Sequence, residues 1–233
     1  YFIIMIFDLF PVPVYVTKLD GYDKNLMIDE IDNICEEPYD GFDQKIKDPN
    51  VDHKELLRRY FADQINYFGD TRKSAHLHNK PEFEWLNNQI KYHTKQYLDG
   101  IGYLSDCDIA VQKSWAVRLN RGGQVQSHRH MNSHISCVFY LQTGESFLKF
   151  IRPPTHCIEN LPLHTVTEGQ YSSNESVVPA ENGMLVLFPA HLRHMVDPYD
   201  DEITRYSISY DLMLIAKKPM ENMVVNPKQW KFL

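Results

Sequence analysis

Two periodicities divide the 233-residue chain. From about Asp23 to Leu98 apolar residues recur at helical spacing. Met27, Ile31, Ile34 and Cys35 share one face, and Leu57, Tyr60, Phe61 and Ile65 share another. A third helix is expected with Asn79 at its cap, Pro81 near its first turn and Phe83, Leu86 and Ile90 on its buried side. The "DGIG" at 99–102 ends it. After that the period shortens to two. "IAVQKSWAVRL" (109–119), "ISCVFYL" (135–141), "SFLKFI" (146–151), "GMLVLFPA" (183–190) and "RYSISYDLML" (205–214) are short β-type runs bounded by turn residues. Helices followed by strands predict an α+β fold in a single domain. Residues 1–106 would supply an N-terminal strand and helical support. Residues 107–214 would form a double-sheet β core with the helices packed on the outer face of one sheet, and 215–233 an arm. Between Arg152 and Asn182 the chain is rich in Pro, Ser, Glu and Asn and reads as a long loop, of the kind that often forms a lid.

Two of the strands are asymmetric in an informative way. Side chains two apart share a face of a strand. In 135–141 one face carries Ile135, Cys137, Phe139 and Leu141, an ordinary packing surface; the other carries Ser136, Val138 and Tyr140, with His134 just before it. In 205–214 Tyr206, Ile208, Tyr210 and Leu212 oppose Arg205, Ser207, Ser209 and Asp211. A polar face can simply meet water. Two such faces in one sheet also fit a polar cavity whose apolar backs lie under the helices.

The stretch "GGQVQSHRHMNSHISCVFYL" adds candidate chemistry, because it holds His128, His130 and His134 within seven residues. If "VQSHRH" is extended, His128 and His130 point the same way with β-carbons about 7 Å apart, within reach of one metal ion. With 11 histidines in the chain an H-x-H arises readily by chance, and His76 and His78 form a second one that reads as surface or capping residues. A third ligand is available from "LVLFPAHLRHMVDPY". His191 and His194 lie three apart, so at most one of them joins the pair. Imidazole ligands favour iron, zinc, copper or nickel, and three ligands with open positions suit an oxygen-activating iron. A closed structural zinc site would want a fourth ligand, and no cysteine is suitably spaced.

Composition narrows the classes. A net charge of −7 argues against bulk binding of a nucleic-acid backbone. Cys35, Cys107, Cys137 and Cys157 are scattered, with no C-x-x-C pair, and fit reduced thiols in the cytoplasm. The opening "YFIIMIF" lacks a basic flank and is too short to span a bilayer, so it reads as a strand and no membrane association is expected. His93 reads as a half-buried helix residue and Trp115 as core; His156 and His164 fall in the lid-like loop, within reach of a substrate. The tail "KKPMENMVVNPKQWKFL" reads as an arm hugging the surface, with a homodimer contact as the second reading.

From Ser114 to Leu214, "SWAVRLNRGGQVQSHRHMNSHISCVFYL", "PPT" and "VVPAENGMLVLFPAHLRHMVDPYDDEITRYSISYDLML" together resemble the Fe(II)/2-oxoglutarate-dependent oxygenases. A bacterial and phage subgroup with a W…N-R-G-G…H-x-H…Y-L…G-x-L-V-L-F-P…H…R-x-S pattern is the most similar, and "DLFPVPVY" carries a weaker likeness. The resemblance implies a double-stranded β-helix, or jelly roll, with Fe(II) and 2-oxoglutarate as cofactors. It implies His128, His130 and His194 as metal ligands. Arg205 and Ser207 would grip the C5 carboxylate of 2-oxoglutarate, with Tyr140 as a further donor. The sequence departs from the wider family at His130, where a carboxylate is usual, so the centre carries one more positive charge. Without His130 as a ligand, Asn132, His134 or water would complete it.

The resemblance implies an oxygenase, most simply a hydroxylase, acting on a small-molecule or peptidyl substrate. Two other functions are compatible with the same residues: a three-histidine, cupin-like dioxygenase that needs no 2-oxoglutarate, and a non-catalytic jelly roll that binds a metal or ligand. Replacing Arg205 separates the first from the second, since only the first needs a carboxylate grip.

Overall fold

The β-type segments pair into two antiparallel sheets. The computed structural model describes residues 11–35, 69–70, 75–103, 106–153 and 173–217. The expected helix around Leu57 to Ile65, the opening apolar run, His156, His164 and the arm beyond 217 lie outside those residues. The strands are β1 (Tyr15–Lys18), β2 (Gly69–Asp70), β3 (Cys107–Leu119), β4 (Val125–His128), β5 (Ile135–Gln142), β6 (Phe147–Ile151), β7 (Glu175–Pro179), β8 (Met184–Pro189), β9 (His194–Val196) and β10 (Arg205–Ala216). One sheet runs β1-β8-β5-β10-β3-β2 and the other β4-β9-β6-β7. From β3 to β10 the chain changes sheet at every step except the β6–β7 hairpin, so that its eight strands follow the order of a jelly roll, two Greek keys closed face to face.

The faces of β5 and β10 divide as their alternation predicts. Ile135, Cys137, Phe139 and Leu141 join Tyr206, Ile208, Tyr210 and Leu212 in the larger apolar cluster. Met27 and Ile31 of α1 (Lys24–Ile34) and Leu86, Ile90, Tyr97 and Leu98 of α2 (Glu84–Gly100) belong to the same cluster. Polar bonds fix the helices to the sheet: Tyr206 donates to the Asp32 carboxylate at 2.9 Å, and Tyr210 donates to Asn87 Oδ1 at 3.0 Å. The opposite face of β5 packs between the sheets, where Val138 and Tyr140 meet Leu148, Phe150, Val186 and Phe188. Both faces are covered, so Ile135 to Leu141 is buried throughout. His93 of α2 pairs with the Tyr15 hydroxyl at 2.8 Å, a structural role.

Two expectations need correcting. Asn79 does not cap α2; it ends a 3₁₀ turn, Leu77–Asn79, and Pro81 opens a second, Pro81–Phe83, before the α-helix starts at Glu84. The residue before a proline is driven out of the helical region, and Lys80 is extended at φ −95°, ψ 138°, so a helix cannot run through it. The 152–182 stretch is not all loop either. Glu175–Pro179 is β7, paired with β6 from Phe147↔Pro179 to Ile151↔Glu175. As the outer strand of its sheet it is mostly exposed and carries no apolar alternation to betray it. Among the described residues no helix is long and apolar enough to cross a membrane.

Candidate metal centre

Strand pairing brings two of the histidines together. His128 ends β4, His194 begins β9, and the two are directly opposite in the antiparallel ladder. The strand stops at His128, so an extended H-x-H does not explain His130. Its backbone N–H instead donates to the Ala190 carbonyl at 2.9 Å, which turns the chain and sends the ring to the same place. Ring centroids lie 4.3 Å apart for His128–His194, 5.0 Å for His130–His194 and 5.1 Å for His128–His130. One nitrogen from each ring lies within 4.8 Å of the other two.

The hydrogen bonds decide which nitrogens are free. Nδ1 of His128 lies 2.7 Å from the Gln126 carbonyl, and Nδ1 of His194 lies 2.9 Å from the Leu192 carbonyl. Nδ1 of His130 lies 2.5 Å from Oδ1 of Asp211. Carbonyl and carboxylate oxygens only accept, so each Nδ1 carries the proton and each Nε2 of a neutral ring carries a lone pair. Nε2 of His130 and Nε2 of His194 face each other at 3.2 Å. Two nitrogens bound to one ion at about 2.1 Å would themselves be about 3.0–3.4 Å apart. The donor set fits a transition metal.

The electrostatics agree. Burial, helped by the neighbouring His128, pushes His194 down to about 3, and burial likewise pushes His128 down. Both stay neutral and able to ligate at physiological pH. Burial pushes the Asp211 carboxyl up, but bonds from His130 and Ser136 and the Lys113 ammonium outweigh it and hold the group below its ordinary range.

Farther along the same face of β10 lies Arg205, only 2% exposed. Its Nη1 donates to Ser207 Oγ at 3.1 Å, and its guanidinium sits 5.1 Å from the Tyr140 ring centroid. Arg205 Nε and the Tyr140 hydroxyl are buried without hydrogen-bond partners, and among the described residues no carboxylate pairs with the guanidinium. A buried charge left alone costs several kcal/mol, roughly, which an anionic ligand would offset. Tyr140 reaches this place from β5, whose register sets it opposite Ser207.

Residues 113–211 match the family described as "Putative 2OG-Fe(II) oxygenase". The match spans less than half of the chain and shows what that segment is similar to. Fe(II) and 2-oxoglutarate are the cofactors of the family. No curated protein matches the chain. Among solved structures, HygX from Streptomyces hygroscopicus with nickel, 2-oxoglutarate and hygromycin B bound aligns with TM-score 0.48 and 12% identity, over 87% of this chain and 83% of that one. AviO1 from Streptomyces viridochromogenes Tue57 aligns with TM-score 0.45 and 15% identity, over 71% and 82%. A 2OG-Fe(II) oxygenase family protein from Burkholderia pseudomallei aligns with TM-score 0.43 and 14% identity; the match covers 58% of this chain and 59% of that one.

Some expected candidates stand apart from the histidine cluster. His134 is exposed and accepts the Leu214 N–H at 2.9 Å, Asn132 is exposed at φ 60°, and His191 points outward. His78 is held by Ser114 at 2.7 Å, a structural pair. Two participants were not foreseen. Trp115 is not plain core: its ring stacks on His130, centroids 5.4 Å apart, with the Lys113 ammonium 4.5 Å above it. Asp211 was legible only as a polar-face residue. The signal that marks it is its place in the R-x-S-x-S-x-D alternation, on the wall that carries Arg205.

Proposed function

We propose that the chain is a hydroxylase that couples RH + 2-oxoglutarate + O₂ to ROH + succinate + CO₂ on a small-molecule or peptidyl substrate. The observation that carries the reading is the buried Arg205 guanidinium without a carboxylate of its own, on the strand face that also supports the three-imidazole cluster. In this reading His128, His130 and His194 hold iron through Nε2. Arg205, Ser207 and Tyr140 hold the far carboxylate of the keto acid. Bound iron with 2-oxoglutarate supplies oxidative decarboxylation and, through it, an oxidant able to attack a C–H bond.

The rest of the chemistry belongs to the chain. The Gln126 and Leu192 carbonyls and the Asp211 carboxylate keep each Nδ1 protonated and so aim each Nε2 inward. A guanidinium fork grips a carboxylate in two places and fixes its direction. Ser207 Oγ already accepts from Arg205, which leaves its own proton to donate, and the partnerless Tyr140 hydroxyl is a second donor. Phe150 and Phe188 pack against His194, at centroid distances of 6.3 and 4.7 Å, and exclude water from that side.

The test is direct. Protein supplied with Fe(II), ascorbate and 2-oxoglutarate should form succinate slowly without substrate, and none at any iron loading would overturn the reading. Arg205→Ala should weaken 2-oxoglutarate binding by about 10- to 100-fold, the worth of a charge-assisted grip, while cobalt(II) still binds. Oxygen consumption that ignores the keto acid and survives Arg205→Ala would point instead to a three-histidine dioxygenase.

A further inference from the structure

We propose that Asp211 returns to the metal centre, through His130, the negative charge that a carboxylate ligand usually supplies. It would act as a positioning and charge-setting residue without touching the metal. The inference rests on the iron-binding reading above and extends it to the one place where the ligand set departs from two histidines and a carboxylate.

The three second bonds are not alike. His128 and His194 give their Nδ1 protons to neutral carbonyls, whereas His130 gives its proton to a carboxylate at 2.5 Å. Asp211 is 0% exposed, and the same Oδ1 also accepts from Ser136 Oγ at 2.6 Å. Its Oδ2 lies 3.2 Å from Lys113 Nζ, the side chain of which is 41% exposed, so water screens much of that attraction. Three neutral imidazoles and a divalent ion carry two positive charges, and Asp211 brings the total to one. Two imidazoles and one carboxylate ligand give the same sum. A carboxylate that takes a share of the Nδ1 proton also makes Nε2 a stronger donor to a metal. Trp115, stacked on the ring, and the His130 N–H bond to Ala190 already restrain the imidazole, so orientation does not depend on Asp211 alone.

Charge and orientation separate experimentally, because asparagine keeps the shape and the acceptor oxygen of aspartate. The metal-free chain is titrated anaerobically with cobalt(II) alone, read by its visible bands and by calorimetry, with circular dichroism to verify folding. Asp211→Asn should weaken cobalt(II) binding by about 10- to 100-fold. His130→Asp places two carboxylates side by side and should bind poorly; His130→Asp with Asp211→Asn should recover at least about tenfold, as the like charge is removed. Asp211→Asn binding as tightly as the wild type, or a double variant no better than His130→Asp, would each overturn the proposal. A wild type that takes up no cobalt(II) would instead sink the iron-binding reading beneath it.

Discussion

At the level of single residues the centre consists of groups kept in one protonation state by their surroundings. His194 illustrates the cost. Free imidazole titrates near 6.5, whereas burial and the neighbouring His128 hold His194 down to about 3. Below about pH 6.5 the unfolded chain binds a proton at this position that the native state refuses. The stability present above that pH is therefore lost progressively as pH falls from about 6.5 toward 3. His128, also pushed down, adds in the same sense. For the metal-free protein the loss from His194 at pH 5.5 should be about 1 kcal/mol relative to pH 7.5. His194→Gln should remove one histidine's share. Urea midpoints at the two pH values measure this, and an equal pH slope in wild type and variant would count against the buried, neutral assignment.

At the level of elements, tight junctions decide whether strands stay in register beneath the site. Gly183 precedes β8 at φ +80°, donates its N–H to the Tyr140 carbonyl at 2.8 Å and accepts from the Leu19 N–H at 2.8 Å. A Cβ there would lie 2.6 Å from the Leu19 carbonyl oxygen, which is backbone and cannot swing aside. Gly183→Ala should therefore cost about 1–3 kcal/mol, from the left-handed backbone and the clash together. Faster hydrogen exchange at β1 should accompany it, since Leu19 follows that strand. Denaturation with exchange mass spectrometry checks both. The strands that the sequence disclosed, β5 and β10, are those whose two faces differ in polarity and are both packed. β7 was hidden because its pairing with β6 supplies the order and all its side chains but Val178 are exposed. β4 and β9 are four and three residues long, too short for a period to register. The H-x-H spacing pointed to two histidines that the fold does bring together, but for an incomplete reason, since of that pair only His128 is in a strand. Asp211 stayed silent because a buried, bonded aspartate and a solvated one look alike in a sequence.

Across the whole molecule the centre joins the two sheets. His128 and His194 sit on the four-stranded sheet, Asp211, Arg205 and Tyr140 on the six-stranded one, and His130 lies in the connection between β4 and β5. A metal ion held by the histidines is thus tied through Asp211 to the opposite sheet, and binding should stabilise the fold as a unit. An ion at 100 times its dissociation constant adds about 2.7 kcal/mol to the native state. At roughly 2–4 °C per kcal/mol for a chain of this size, that is a rise of about 5–10 °C in Tm. Nickel(II) or cobalt(II) should produce this shift, and a chelator should reverse it. On the proposed reading 2-oxoglutarate should add a second increment only when the metal is present, because a keto acid gripped at one end by Arg205 would gain its other anchor at the ion. Two variants separate the contributions in differential scanning calorimetry. His128→Gln with His194→Gln should lose both increments, whereas Arg205→Ala should keep the first and lose the second. A full 2-oxoglutarate increment in Arg205→Ala would mean that the co-substrate carboxylate is held elsewhere, and the buried guanidinium would then need another anion to answer it.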